Sequence, residues 1–138
     1  MPVTKEFTVL MEDQPNTLGK VCMALADRQV NILALQAFPI GGKSVVRLIA
    51  DNPTTAKSVL DSERLTYAEA LIVQAKLPHR PGEIARLASR LGKANININY
   101  VYSGLESGTN MPLVFFGVAA PEEAAPIVEQ AAAAAAKP

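Results

Sequence analysis

The sequence predicts an α+β fold made of two tandem βαββαβ copies, the second lacking its last strand. Three observations predict it. A proline and an asparagine recur at one spacing: 81 − 15 = 66 separates Pro81 from Pro15, and 97 − 31 = 66 separates Asn97 from Asn31. A β-type run precedes each proline, Phe7 to Met11 and Ile72 to Leu77, and the first alternates with a period of two. A segment with apolar residues at helical spacing follows each proline. Further on the offset becomes 68, since Pro53 answers to Pro121 and Val59 to Ile127. The two extra residues fall within Ser103 to Pro112, a stretch rich in Gly, Ser, Thr and Asn that answers to Ile40 to Lys43. Insertions collect in surface turns.

In copy one, a helix is expected from about Pro15, because proline suits the first helical turn. Leu18, Val21, Cys22, Leu25 and Ala26 would face the sheet. Asn31 to Phe38 reads as the second strand, Gly41-Gly42 as a hairpin turn and Ser44 to Ala50 as the third strand. Asp51-Asn52-Pro53 opens a second helix, through about Leu60. Leu65 to Ala68 is a short fourth strand, and no Gly or Pro separates it from the run ending at Leu77, so no flexible linker fits between the copies. In copy two, the helix carries Ile84, Leu87, Ala88 and Leu91, and strands are expected at Ile96 to Tyr102 and Leu113 to Val118. A last helix starts at Pro121, with Glu122 and Glu123 where the helix dipole favours negative charge. The chain then ends in an alanine run that continues the helix or frays. The boundaries expected are residues 1–69 and 70–138.

Composition narrows the function classes. Thirteen basic residues balance thirteen acidic ones, so the formal net charge is zero and no basic field exists to hold a phosphate backbone. No apolar run is long enough to span a membrane, and Met1 to Glu6 does not read as a signal peptide. The single Cys22 cannot staple the chain. A reduced, cytoplasmic setting is therefore expected. One His and one Cys close no metal site, and nothing places a serine beside His79. No cofactor, no catalytic residue and no enzymatic activity are expected.

The order βαββαβ is the ferredoxin-like sandwich, which hosts many functions. The local sequence says more. An apolar strand, then His79-Arg80-Pro81-Gly82-Glu83-Ile84, a helix, and Ile96-Asn97-Ile98 resembles the ACT domain. Asp13-Gln14-Pro15-Asn16-Thr17-Leu18 with Val30-Asn31-Ile32 is the weaker match, because Asn16 stands where glycine is usual. The chain as a whole is similar to small stand-alone proteins made of two ACT domains. That resemblance implies a regulator of amino-acid metabolism that binds a small molecule, usually an amino acid. It implies a ligand at the strand-one to helix-one loop, with contacts from Asp13 and His79 and from Asn31 and Asn97.

The residues offer a physical case of their own. A loop feeding a helix N-terminus exposes unpaired backbone N–H groups that can hold a carboxylate. Asn16, Thr17, Gly82 and Glu83 would supply them, and an Asp or Asn side chain could receive an ammonium. The candidate ligand-binding set is Asp13, Gln14, Asn16, Thr17, Leu18 and Asn31 in copy one. In copy two it is His79, Arg80, Gly82, Glu83, Ile84 and Asn97. Bland readings stand beside it: Asp13 as a helix cap, His79 as a solvated loop residue, and Asn31 and Asn97 as turn residues. A ferredoxin-like interaction module without a metabolite ligand is the competing function. A homodimer is expected, on the argument that copy two leaves an open sheet edge and that Leu10, Leu33 and Leu35 lie on the sheet face opposite the helices.

Overall fold

The computed structural model describes residues 2–136. Its elements run β1 (Val3–Glu12), α1 (Thr17–Asp27), β2 (Ile32–Ile40), β3 (Lys43–Ala50), α2 (Pro53–Ser62), β4 (Thr66–Ala75), α3 (Glu83–Lys93), β5 (Ile98–Leu105), β6 (Pro112–Val118) and α4 (Pro121–Ala135). They form two compact units, residues 5–70 and residues 2–4 with 71–136. Both β1 and β4 contribute to each unit.

In the unit of residues 5–70 the strand order is β2-β3-β1-β4. β3 pairs antiparallel with both neighbours, Val46 opposite Val9 and Leu48 opposite Leu35. Phe7, Val9 and Met11 point to the helices together with Val46 and Leu48, and meet Val21, Leu25, Val59 and Leu60 in one core. The alternation in β1 and the helical spacing in α1 thus end in the same place. Burying a side chain such as Leu25, which has no exposed surface, stabilises by about 1.5–3 kcal/mol. Gly41 and Gly42 turn the β2–β3 hairpin with φ of 55° and 82°, the positive pair that a type I′ turn requires. α2 begins as its sequence suggests, with Pro53 in the first turn and the Asn52 side chain accepting from the Thr55 N–H at 3.1 Å.

One face assignment is corrected. Leu35 faces the helical core, not the opposite face where Leu10 lies 41% exposed. The cause is a bulge between Ile32 and Ala34. A one-residue slip exchanges the faces of everything beyond it, so Ile32 and Leu35, three apart, share the core side.

In the other unit the order is β5-β6-β4-β1. β6 lies between β5 and β4, with Phe116 opposite both Val101 and Val73. Val73, Phe116, Val118, Leu87, Leu91 and Val128 build its core. The alanine run continues α4, and Ala131 and Ala135 are buried in that core. Among the described residues no strand follows α4. The edge expected to lie open beside β4 is nevertheless occupied: the Gln74 N–H donates to the Pro2 carbonyl at 2.7 Å, and Val3 packs on the core. The start of the chain stands where copy two has no strand of its own. β4 is one uninterrupted strand, the nearly continuous β structure expected from Tyr67 to Leu77 because no Gly or Pro interrupts Leu65 to Leu77.

Candidate functional site

The loops leading into α1 and α3 are closed by the same backbone bonds. The Gln14 N–H donates to the Glu12 carbonyl at 3.0 Å, as the Arg80 N–H does to Pro78 at 3.0 Å. The Lys20 N–H donates to Asn16 at 3.1 Å, as the Arg86 N–H does to Gly82 at 2.9 Å. Each pair is related by the 66-residue offset of the sequence. The helix ends repeat too: Val30 donates to Leu25 and Ile96 to Leu91, with Gln29 and Asn95 both at φ 61°. The repeat read from Pro15 and Pro81 is therefore a repeat of hydrogen bonds.

The residue ahead of each helix is left-handed, Asn16 at φ 70° and Gly82 at φ 91°. Glycine adopts this conformation freely and asparagine tolerates it. The departure from glycine in copy one therefore changes the space, not the backbone. The Asn16 side chain covers Gly19, where an added Cβ would come within 2.8 Å of Oδ1. Neither residue caps its helix with a side-chain hydrogen bond. Two of the amides expected to hold a carboxylate are bonded within the loop instead: the Thr17 N–H donates to the Gln14 carbonyl at 3.3 Å, and the Glu83 N–H donates to the Arg80 carbonyl at 3.5 Å.

A pocket opens at each loop. The one at α1 is about 320 Å³ and is lined by Glu12, Gln14, Pro15, Asn16, Thr17 and Lys20, with Val21, Glu63 and Leu65. Six of these nine residues are polar, Glu12, Lys20 and Glu63 among them charged, and Glu12 is itself paired with Lys43. The one at α3 is larger, about 600 Å³, within the range of small-molecule sites. Leu77, Pro78, His79, Arg80 and Pro81 form its loop side, Glu83 and Ile84 its helix side, and Ser103, Gly104 and Pro112 to Val114 its sheet side.

Glu83 is the unusual member. It is 3% exposed, although it sits in the first turn of a helix. Its Oε1 accepts from Arg80 Nε at 3.1 Å and from Arg86 Nη1 at 2.6 Å. Arg80 also donates to the Ala135 carbonyl at 3.3 Å, which ties the cluster to the end of α4. Burial pushes the Glu83 carboxyl up, and the hydrogen bonds and charges of Arg86 and Arg80 together outweigh it, leaving the group below the usual carboxylate range. Its Oε2 is buried with no hydrogen-bond partner.

Of the residues singled out from sequence, Gln14, Asn16 and Thr17 line the first pocket, and His79, Arg80, Glu83 and Ile84 line the second. Asp13 and Leu18 do not line the first; Asp13 is exposed, and Leu18 packs on the core. Gly82 shapes the backbone beside the second pocket without lining it. Asn31 lies outside both pockets: its N–H donates to Asp51 Oδ1 at 2.9 Å, and its carbonyl accepts from the Asp51 N–H at 3.0 Å. Asn97 is exposed and donates to Asn99 Oδ1 at 3.0 Å. Ile84, expected on the helix face with Leu87 and Leu91, is instead 52% exposed at the pocket, and Glu83 is buried in its turn.

The sheet-side wall, Ser103, Gly104 and Pro112 to Val114, was not singled out. Its only signal in the sequence was the two-residue insertion between Ser103 and Pro112, which lengthens the β5–β6 hairpin beside the second pocket. Among the described residues no group of three His, Cys, Asp or Glu side chains is placed to hold a metal. Burial pushes the Cys22 thiol up, away from the reactive thiolate.

The comparisons with known proteins agree with this architecture. No curated protein matches the chain. Among solved structures, protein BT0572 from Bacteroides thetaiotaomicron superposes with a TM-score of 0.81 at 21% identity, over 94% of this chain and 88% of that one. The regulatory subunit of aspartate kinase from Thermus thermophilus, in a ligand-free form, gives 0.61 at 18% identity, over 94% and 92%. The corresponding subunit from Thermus flavus gives 0.56 at 18%, over 95% and 93%. At these identities the likeness is one of fold. The ACT domain pair matches residues 1–132, nearly the whole sequence, and the chain belongs to that family.

Proposed function

We propose that this chain is a regulatory protein of amino-acid metabolism that binds a small molecule, an amino acid, and catalyses no reaction. The observation that carries this reading is the pocket at the head of α3. It joins the Arg80 guanidinium and the Glu83 carboxylate to an apolar wall. A zwitterion needs both signs within a few ångströms, and an apolar wall gives its side chain a place to bury. The solved regulatory subunits of aspartate kinase with this fold support a regulatory role. The smaller, charged pocket at α1 is the second candidate site.

The setting proposed is cytoplasmic, and the active form a homodimer. Support for a dimer comes from β5, which pairs only with β6 in the described structure and carries Val101 and Leu105 at 41% and 45% exposure. The edge beside β4 no longer supports it. A thermal-shift screen against the twenty amino acids tests the function. A ligand at one hundred times its Kd stabilises the native state by about 2.7 kcal/mol, so at least one amino acid raises Tm by several degrees. A flat screen would favour an interaction module instead.

A further inference from the structure

Glu83 holds a buried carboxylate oxygen that nothing in the described structure satisfies. Buried polar atoms are nearly always bonded, and an exception in a native fold asks for a cause. Here both arginines use Oε1, and Oε2 is left without a donor. The residue lines the larger pocket, in which seven of the twelve lining residues are proline or aliphatic. At the matching position of copy one, 83 − 66 = 17, stands Thr17; the acids that line the smaller pocket, Glu12 and Glu63, are exposed rather than buried. Two cations on one anion leave the cluster a net positive charge. A ligand carrying both an ammonium and a carboxylate suits that balance better than a plain amine does.

We propose that Glu83 is the ammonium anchor of the larger pocket: Oε2 accepts from the N–H of an aliphatic α-amino acid whose hydrocarbon end lies against Pro78, Ile84, Pro112 and Val114. Arg80 is the wall that moves. Its side chain is 54% exposed, and one rotation about it opens the carboxylate to the ligand while its guanidinium meets the ligand carboxylate. This rests on the reading of the pocket as an amino-acid site and adds the residue that selects the amine and the class of side chain taken.

Calorimetric titration of the wild-type chain with L-leucine, L-isoleucine, L-methionine, L-aspartate and 4-methylpentanoate tests it. The last has the leucine skeleton without the ammonium. At least one of the three aliphatic amino acids binds, L-leucine binds at least about tenfold more tightly than 4-methylpentanoate, and Glu83→Gln loses a similar factor for the aliphatic ligand. Should Glu83→Gln fail to fold, the wild-type comparison of leucine with its deaminated analogue still decides. Equal affinity for that pair overturns the proposal. So does binding of aspartate with no binding of the three aliphatic residues, an outcome that leaves the amino-acid site standing. No binding of any of these four amino acids also overturns it, while only a flat screen of all twenty overturns the amino-acid reading as well.

Discussion

The amide of Gln74 donates to the carbonyl of Pro2 at 2.7 Å, and this bond gives the second unit an outer strand drawn from the opposite end of the sequence. Deleting Pro2 to Thr4 removes it together with the packing of Val3. The expected loss is on the order of 1–3 kcal/mol, and it falls on residues 71–136. Hydrogen exchange reads it directly: the Gln74 amide loses protection. Unchanged protection there would show that the strand is dispensable.

Asn16 and Gly82 share a left-handed backbone, and this sets the outcome of exchanging them. Gly82→Asn keeps the fold with a change in stability of about 1 kcal/mol or less. Gly82→Val forces a β-branched residue to positive φ and costs about 1–3 kcal/mol. In calorimetry Gly82→Val also weakens ligand binding at the larger pocket more than Asn16→Val does at the smaller. Urea midpoints that rank asparagine with valine at position 82 would contradict the geometry.

Tyr67 is a pH-dependent tie between β4 and α2. Its hydroxyl donates to Asp61 Oδ1 at 2.6 Å. That bond, with burial and the charges of Asp61 and Glu69, pushes its pKa up to about 12. An unfolded tyrosine titrates near 10. The folded chain thus keeps the proton where the unfolded chain has lost it, and the stabilisation is whole below about pH 10 and lost as pH rises towards 12. The difference in urea midpoint between wild type and Tyr67→Phe shrinks over that window. A difference that stays constant with pH would exclude the bond.

Gly117 is fixed by space. A Cβ there would lie 2.2 Å from the Tyr100 ring, which stacks on Tyr102 with centroids 6.4 Å apart. Gly117→Ala must displace that ring and costs about 1–3 kcal/mol. The same variant made together with Tyr100→Ala recovers most of the loss. A thermal melt of Gly117→Ala that matches wild type would place the ring elsewhere in solution.

The homodimer is decided by sedimentation equilibrium at micromolar concentration. The expected species has twice the chain mass, and Leu105→Glu on β5 shifts it towards the single chain. Wild type at 14.7 kDa would end the dimer proposal.

Much of the fold was legible because it is local. Period two in Phe7 to Met11, Asn52-Pro53 ahead of α2 and Gly41-Gly42 between strands each act within a few residues, and each element formed. The 66-residue offset announced a duplicated loop, and the loop is duplicated bond for bond. What the sequence hid was non-local. The bulge after Ile32 turned Leu35 to the core, and no residue in that run marks it. Pro2 to Thr4 gave no sign of serving the far unit, because strand pairing leaves no trace at a distance of 74 − 2 = 72 residues. The site divides in the same way. Arg80, Glu83 and Ile84 lie next to a recognisable motif, whereas Ser103 and Val114 reach the pocket only through the pairing of β5 with β6. Glu83 was read for its backbone N–H; the burial of its side chain could not be foreseen from a position in a helical first turn.

The shared strand also orders events during synthesis. Pro2 to Thr4 are made well before their pairing partner: the Gln74 amide that donates to the Pro2 carbonyl follows more than a minimal domain's length later. The elements of residues 5–70 are complete before then, and contacts that are close in sequence close sooner than distant ones. Pro2 to Thr4 must therefore wait, bonded to water, until Gln74 has been made. Every newly made chain passes through an interval in which Pro2 to Thr4 exist without the strand that will place them.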